Sequence, residues 1–378
     1  MPILAVSVPA TAEDQKRRFR GAYSILEQAI GQRAFPGAAF GILSRGGVVA
    51  LDGVGRFTYE PNSPEVTPAT IYDLASLTKV LATTSKAMLL YDRGLLELDQ
   101  PLGDVLPGFV IGMEPGSGKN RVTMRMLLAH SSGLPAYRQL FREHTSPSQL
   151  VRACLRMPLE AVPGTRAEYS DIGFILLGLA LEVLSGEKLA PFCIREVFAP
   201  LSLVSTRFCP PAAWRSLIPP TEDDTTFRHR ILQGEVQDEN CFALQNAAGH
   251  AGLFSHALDV LRFAACILAE GRTPEDQPLF RPETVSLFAT RQSSPQGTSR
   301  ALGWDTPSLP SSSGQYFSTS SIGHLGYSGT SLWIDREASL AVVLLTNRTW
   351  PDRSSDLIRN VRPAFHDEIV RSLRGSVA

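Results

Sequence analysis

The 378-residue chain has no CxxC pair, no GxSxG pentapeptide, no basic run and no apolar stretch long enough for a membrane helix. Each absence excludes something. Without GxSxG there is no elbow serine of the α/β-hydrolase kind. With a net charge of −1 and no interleaving of arginine and aromatic residues, the chain is not built to hold a polyanion, so nucleic acid is not a partner. A spanning helix needs about 20 consecutive apolar residues, and none occurs. The five cysteines, Cys154, Cys193, Cys209, Cys241 and Cys266, are odd in number and far apart. They read as reduced, core-filling side chains, which favours a cytoplasmic setting. His144, His229, His256 and His366 share no ligand spacing with one another or with cysteine, so neither a metal nor another cofactor is expected. The opening MPILAVSVPA lacks a basic segment before its short apolar run and is expected to be a disordered or edge segment. A periplasmic setting would require that an export signal had been trimmed. Internal repeats and low-complexity tracts are also missing.

What is present is a long chain that is 43% hydrophobic, enough core for one large domain or two intertwined ones. Apolar periodicity predicts a helix over 12–31 ending near Gly31, then a hairpin over 37–57 turning at Arg45-Gly46-Gly47. From Ser76 to about residue 210 the pattern is almost wholly helical, broken at Pro107, Pro135, Pro147, Pro158, Pro163 and Pro200. Helices are expected at 256–270 and 282–291, strands at 327–334 and 339–346 joined by Arg336-Glu337, and a closing helix at 355–374. The fold class is therefore α+β. An antiparallel sheet is completed from both chain ends, with residues 1–75 and 245–378 in the sheet subdomain and 76–244 in a mainly helical one. The catalytic cleft is expected between them.

The segment YDLASLTKVLATTSKAMLL (72–90) sets Ser76 and Lys79 three residues apart, on one face at the start of a predicted amphipathic helix. A serine hydroxyl is a poor nucleophile at neutral pH, and a lysine in an apolar wall gives up its proton more easily and can take the serine's. Leu77, Val80, Leu81, Thr84 and Met88 supply that wall. A second SxxK, Ser185 and Lys188 in LSGEKLA, has Gly186 inside it and no apolar enclosure, which marks a helix terminus.

Two later segments decide between the copies. AEYSDIGFILLGLALEVLSG (167–186) places Tyr169 and Asp171 ahead of an apolar helix, and SIGHLGYSGTSLWID (321–335) places His324 on a glycine-flanked strand. In this order the set resembles the serine β-lactamase and penicillin-binding-protein superfamily, with its SxxK, its Tyr- or Ser-led turn and its KTG-like strand. The Tyr-led second motif is similar to the class C branch, which includes DD-peptidases and family VIII carboxylesterases. LLAHSSGLP (127–135), AGHAGLFSHALDVLRFA (248–264) and LAVVLLTNR (340–348) extend the resemblance over most of the chain. It implies a β-lactamase/transpeptidase-like fold and an acyl-serine intermediate on Ser76, with Lys79 as proton partner. Tyr169 then acts as general base or as proton shuttle to the leaving group. His324, Gly326, Tyr327 and Asp171 fall among the substrate-binding residues, and the Tyr327 backbone N–H on the strand past HLG becomes the second oxyanion donor.

Two departures modify that expectation. Asp171 stands where the branch commonly has Asn. Either it pairs with Lys79, raising the lysine's pKa and leaving a cation that depresses Tyr169, or it caps the following helix. HLG replaces KTG, so His324 is mostly neutral and Leu325 has no hydroxyl for a substrate carboxylate. That favours esterase activity on small-molecule esters, with β-lactams or D-amino-acid peptides as the alternative substrates of a β-lactamase, D-Ala-D-Ala carboxypeptidase or D-aminopeptidase. Arg348 is the candidate replacement anchor. His250 is expected to make a structural hydrogen bond, and His130 to stabilise a helix end. A catalytically silent binding protein on this scaffold would have lost Ser76, Lys79 or Tyr169, and all three are present.

Overall fold

The computed structural model describes residues 11–375, so the opening MPILAVSVPA lies outside the described residues. The chain begins with α1 (Ala12–Arg18) and α2 (Arg20–Gly31), two helices where one was expected. Phe19 separates them with φ −106° and ψ 28°, and its ring is fully buried. Turning this aromatic inward takes priority over continuing the helix, since burying a Phe contributes roughly 1.5–3 kcal/mol.

The hairpin forms as expected. β1 (Gly37–Ser44) and β2 (Gly47–Gly55) are joined by Arg45 and Gly46, both with positive φ, the geometry that matches strand twist in a two-residue loop. Then come β3 (Tyr72–Asp73) and the helices α3 (Ser85–Asp92), α4 (Leu102–Val105), α5 (Met124–Leu128), α6 (Pro147–Arg156), α7 (Asp171–Ser185) and α8 (Leu189–Cys193). Short strands β4 (Arg207–Phe208), β5 (Glu222–Asp224) and β6 (Arg230–Leu232) follow, then α9 (Glu239–Ala243), β7 (Leu253–Ser255), α10 (Ala257–Leu268) and α11 (Pro282–Ala289). The last part holds β8 (Ile322–Leu325), β9 (Ser331–Asp335), β10 (Leu340–Thr346) and α12 (Ile358–Gly375).

The main sheet is antiparallel in the order β2-β1-β10-β9-β8. Its first two strands come from the beginning of the chain and its other three from the end. β1 and β10 are buried along nearly their whole length, as strands covered on both faces must be. α2 and α12 cover one face through Phe40, Trp333, Phe365 and Ile369, and α10 packs on the other. A three-stranded sheet β3-β7-β4 and the β5-β6 pair stand apart.

The strand expected over 327–334 begins later. Residues 326–330 form a turn, closed by Gly326 N–H donating to the Thr330 carbonyl at 2.7 Å. Tyr327 therefore sits on a turn rather than a strand. Among the described residues no helix is long and apolar enough to cross a membrane.

Candidate active site

The segment that carries Ser76 and Lys79 is not a single amphipathic helix. Ala75–Leu77 is a 3₁₀ turn, Lys79–Thr84 is π-helical, and only then does α3 begin. Residues 79–90 are buried throughout, Lys79, Thr83 and Lys86 included, so no face is exposed to solvent. The wide π turn is braced by polar groups: Thr83 Oγ1 donates to the Gly249 carbonyl at 2.6 Å, and Thr78 Oγ1 accepts the Leu253 N–H at 3.1 Å. Single π turns of this kind concentrate at functional sites.

Ser76 Oγ lies 2.9 Å from Lys79 Nζ and 2.7 Å from Tyr169 Oη. Lys79 is fully buried, and its ammonium also donates to Asp171 Oδ1 at 2.7 Å and to the His250 carbonyl at 2.9 Å. Three ammonium protons thus meet three acceptors. Burial pulls the lysine pKa down, but Asp171 and the Tyr169 oxygen outweigh it, and the net shift is upward. Lys79 is a held cation rather than a neutral amine. The competing assignment of Asp171 as helix cap does not hold, because Ser170 caps α7: its Oγ accepts the Gly173 N–H at 3.0 Å.

Tyr169 departs from expectation in the opposite sense. Burial raises its pKa, Asp171 adds to the rise, and the Lys79 charge offsets them only in part. The phenol keeps its proton near neutrality. Its position is set by the 130–136 segment: the Ser170 N–H donates to His130 Nδ1 at 3.1 Å, Ser170 Oγ donates to the Pro135 carbonyl at 2.6 Å, and the Asp171 N–H donates to the Ala136 carbonyl at 2.9 Å. The His130 ring also lies against Tyr169, with centroids 4.6 Å apart. His130 was expected to stabilise a helix end; its side chain instead supports the start of α7 through the Ser170 N–H.

His324, on β8, faces Tyr169 from the other side at 5.9 Å. Burial, with the Lys79 and Arg300 charges, holds its imidazole well below the usual range, so it is neutral. Nδ1 then donates to the Leu325 carbonyl at 2.9 Å. Tyr327 is 52% exposed and its carbonyl accepts from Arg348 Nε at 2.7 Å. The second SxxK behaves as a terminus: Ser185 Oγ donates to the Leu181 carbonyl, Lys188 pairs with Glu182, and Gly186 takes φ +68°. Cys154, Cys193, Cys241 and Cys266 are buried free thiols, whereas Cys209 is exposed, contrary to the core role expected of all five.

These residues open onto a cavity of 620 Å³ lined by Ser76, Tyr169, Asp171, His324, Gly326 and Tyr327. Its wall includes groups that sequence reasoning missed, among them Asp73, Asp238 and Arg300. No spacing rule could have found them, since they reach the cavity from β3, from the start of α9 and from the connection between α11 and β8. Arg348 lines it as expected but is occupied, donating to Tyr327 and Ser355 carbonyls. Arg353 is bonded to Glu222 and Glu239, and Arg362 to the Gly326 and Thr330 carbonyls. Arg300 is less committed. Its ion contact with Asp305 is 3.6 Å, and its guanidinium lies 5.6 Å from the Tyr169 ring centre.

The Beta-lactamase family pattern matches residues 23–364. The chain belongs to the beta-lactamase family. It is 30% identical over 370 residues to N-acetylmuramyl-L-alanine amidase of Bacillus subtilis strain 168, covering 89% of this chain and 82% of that protein. It is 32% identical over 308 residues to an Escherichia coli K12 protein provisionally named D-alanyl-D-alanine carboxypeptidase, covering 75% and 70%. Among solved structures, EstCE1, a hydrolase with promiscuous acyltransferase activity, shares the fold at TM-score 0.74 and 20% identity, with 95% and 100% covered. A penicillin-binding protein homologue from Caulobacter crescentus does so at 0.72 and 19%, with 94% and 97% covered. This family member is thus a serine hydrolase with the β-lactamase/transpeptidase-like fold.

Proposed function

We propose that the protein acylates Ser76 and hydrolyses an amide or ester whose acyl-enzyme forms in the 620 Å³ cavity. The observation that carries this is the convergence of Lys79 Nζ and Tyr169 Oη on Ser76 Oγ, within 2.9 and 2.7 Å. As Ser76 Oγ bonds to the substrate carbonyl carbon, its proton passes to Tyr169 Oη while the phenol passes its own to the leaving atom. A phenol that keeps its proton suits this relay, because no free phenolate is needed. Lys79 stays an ammonium and stabilises charge developing on the two oxygens. Water then enters and the relay runs in reverse. The Ser76 and Tyr327 N–H groups are the proposed oxyanion donors.

The substrate reading turns on Arg300. An esterase preference rests on the absence of an assured cation, yet Arg300 brings one beside Tyr169 and His324. A carboxylate-bearing substrate, in particular a D-amino-acid peptide, is the class we favour. The name of the carboxypeptidase relative agrees with it, and that of the amidase agrees with an amide bond. Small uncharged esters remain the second reading, supported by the neutral His324 and by Leu325 in the third motif. The buried free thiols support a reducing, cytoplasmic setting.

Ser76→Ala should abolish fluorophosphonate labelling, and Ser185→Ala should leave it unchanged. Near-normal labelling of Ser76→Ala would remove the nucleophile. For substrate class, Arg300→Ala should lower kcat/KM for a D-Ala-D-Ala peptide about tenfold or more while sparing p-nitrophenyl butyrate, the scale of one charge-assisted hydrogen bond. Equal losses on both substrates return the preference to esters.

A further inference from the structure

The turn that presents Ser76 is held by a buried carboxylate that the proposed chemistry does not use. Asp73 is 2% exposed. One of its oxygens accepts the Ala75 N–H at 2.8 Å, and the other accepts the Gln237 N–H at 2.8 Å. Among the described residues it joins no ion pair.

Ala75 needs such a tie. Its φ is +46°, a left-handed conformation that a residue with a Cβ avoids unless its surroundings impose it. The residues before it are secured separately. Ser328 Oγ donates to the Asp73 carbonyl at 2.8 Å, Thr330 Oγ1 donates to the Leu74 carbonyl at 3.0 Å, and the Leu74 N–H donates to the Leu253 carbonyl at 2.9 Å. The Ala75 N–H falls to the carboxylate alone. The other end of that bridge is also tied to the site. Asp238, next to Gln237, accepts a 2.8 Å bond from His250, whose carbonyl holds Lys79.

We propose that Asp73 is a positioning residue for Ser76: its ionised carboxylate bridges left-handed Ala75 to Gln237 and so aims the Ser76 hydroxyl at Lys79 and Tyr169. The bridge requires two acceptors, and a carboxylate has them without needing a donor in return. Protonation would turn one oxygen into a hydroxyl and weaken one arm. Burial raises the Asp73 pKa to about 6, with the two N–H bonds and Arg228 opposing the rise and Asp238 adding to it. Asp171, Glu239, His250 and Arg353 line the same cavity. Acylation should therefore weaken as pH falls through about 6, above the range where an ordinary aspartate titrates.

The proposal rests on Ser76 being the acylated residue, and loss of labelling in Ser76→Ala checks that separately. The test measures fluorophosphonate labelling rates of the full-length wild type, Asp73→Asn and His250→Gln across the neutral to mildly acid range, with a melting curve for each. A single group of this pKa, whose protonated form labels about tenfold more slowly, gives about a fivefold fall in the wild-type rate between pH 7 and pH 5. Asp73→Asn should label about tenfold more slowly above pH 7, with reagent affinity unchanged, and should lose the acid limb. His250→Gln should keep the limb. Wild-type labelling in Asp73→Asn, retention of its limb, or loss of the limb in His250→Gln instead would overturn the proposal. If Asp73→Asn does not fold, the other two proteins decide. A wild-type rate that is flat through pH 6 overturns the proposal, and a limb kept in His250→Gln at unchanged melting temperature supports it.

Discussion

Lys79 carries the balance between the two roles open to it. Its three bonds, to Ser76, Asp171 and the His250 carbonyl, leave no lone pair for accepting a proton. An isolated buried lysine would shed its charge, and Asp171 is what prevents this. Because the folded-state pKa is raised, the ammonium persists across neutral pH and is lost only as pH rises beyond the ordinary lysine range. Asp171→Asn removes the counter-ion and leaves burial unopposed by it. The alkaline limb of the acylation profile should then move down by one unit or more, about 1.4 kcal/mol of interaction per unit. A profile that stays in place would show that Asp171 does not hold the lysine's charge. The sequence named both partners, but it could not choose between ion pair and helix cap. That choice depended on Ser170, one residue earlier, taking the cap.

At the scale of elements, the π-helical turn over Lys79–Thr84 and the AGHAG segment form one unit. Thr83 bonds to the Gly249 carbonyl, and Lys79 to the next one along. Gly249 also packs against α7, where a Cβ would stand 2.1 Å from the Phe174 carbonyl and 3.0 Å from Gly178 Cα. Backbone atoms on both sides cannot give way. Gly249→Ala should cost about 1–3 kcal/mol of stability, the usual range for overpacking, and should slow acylation because His250 moves with it. Calorimetry with parallel labelling rates checks this, and an unchanged melting temperature with normal labelling would show that the contact yields. The glycines of AGHAG were visible in the sequence, whereas their partner was not, because α7 lies some seventy residues earlier. The same holds for the π turn itself: apolar spacing signals a helix and says nothing about its winding.

On the scale of the whole molecule, the sheet order β2-β1-β10-β9-β8 makes the two chain ends depend on each other. α12 closes the arrangement. Ile358, Val361, Phe365, Ile369 and Val370 are buried, and Arg362 bonds the Gly326 and Thr330 carbonyls beside the third motif. At roughly 1.5–3 kcal/mol for each fully buried large apolar side chain, removing α12 forfeits on the order of 10 kcal/mol. That equals the net stability of a typical domain, about 5–15 kcal/mol. A chain ending at Asn347 should therefore show no cooperative melting transition, whereas a folded, labelling-competent product would mean the remaining core suffices.

Periodicity and short motifs determined much here: the hairpin, the helical middle, the strands from the chain's end, and the trio Ser76, Lys79 and Tyr169. These follow from local chemistry, since side-chain spacing and turn residues act over a few positions. Tertiary structure decided the protonation of Lys79 and Tyr169, the break at Phe19, the turn that displaces Tyr327 from its strand, and the exposure of Cys209. It also brought Arg300 and Asp73 to the cavity. Charge state and left-handed backbone depend on which distant groups surround a buried atom, and a linear pattern carries no record of that neighbourhood.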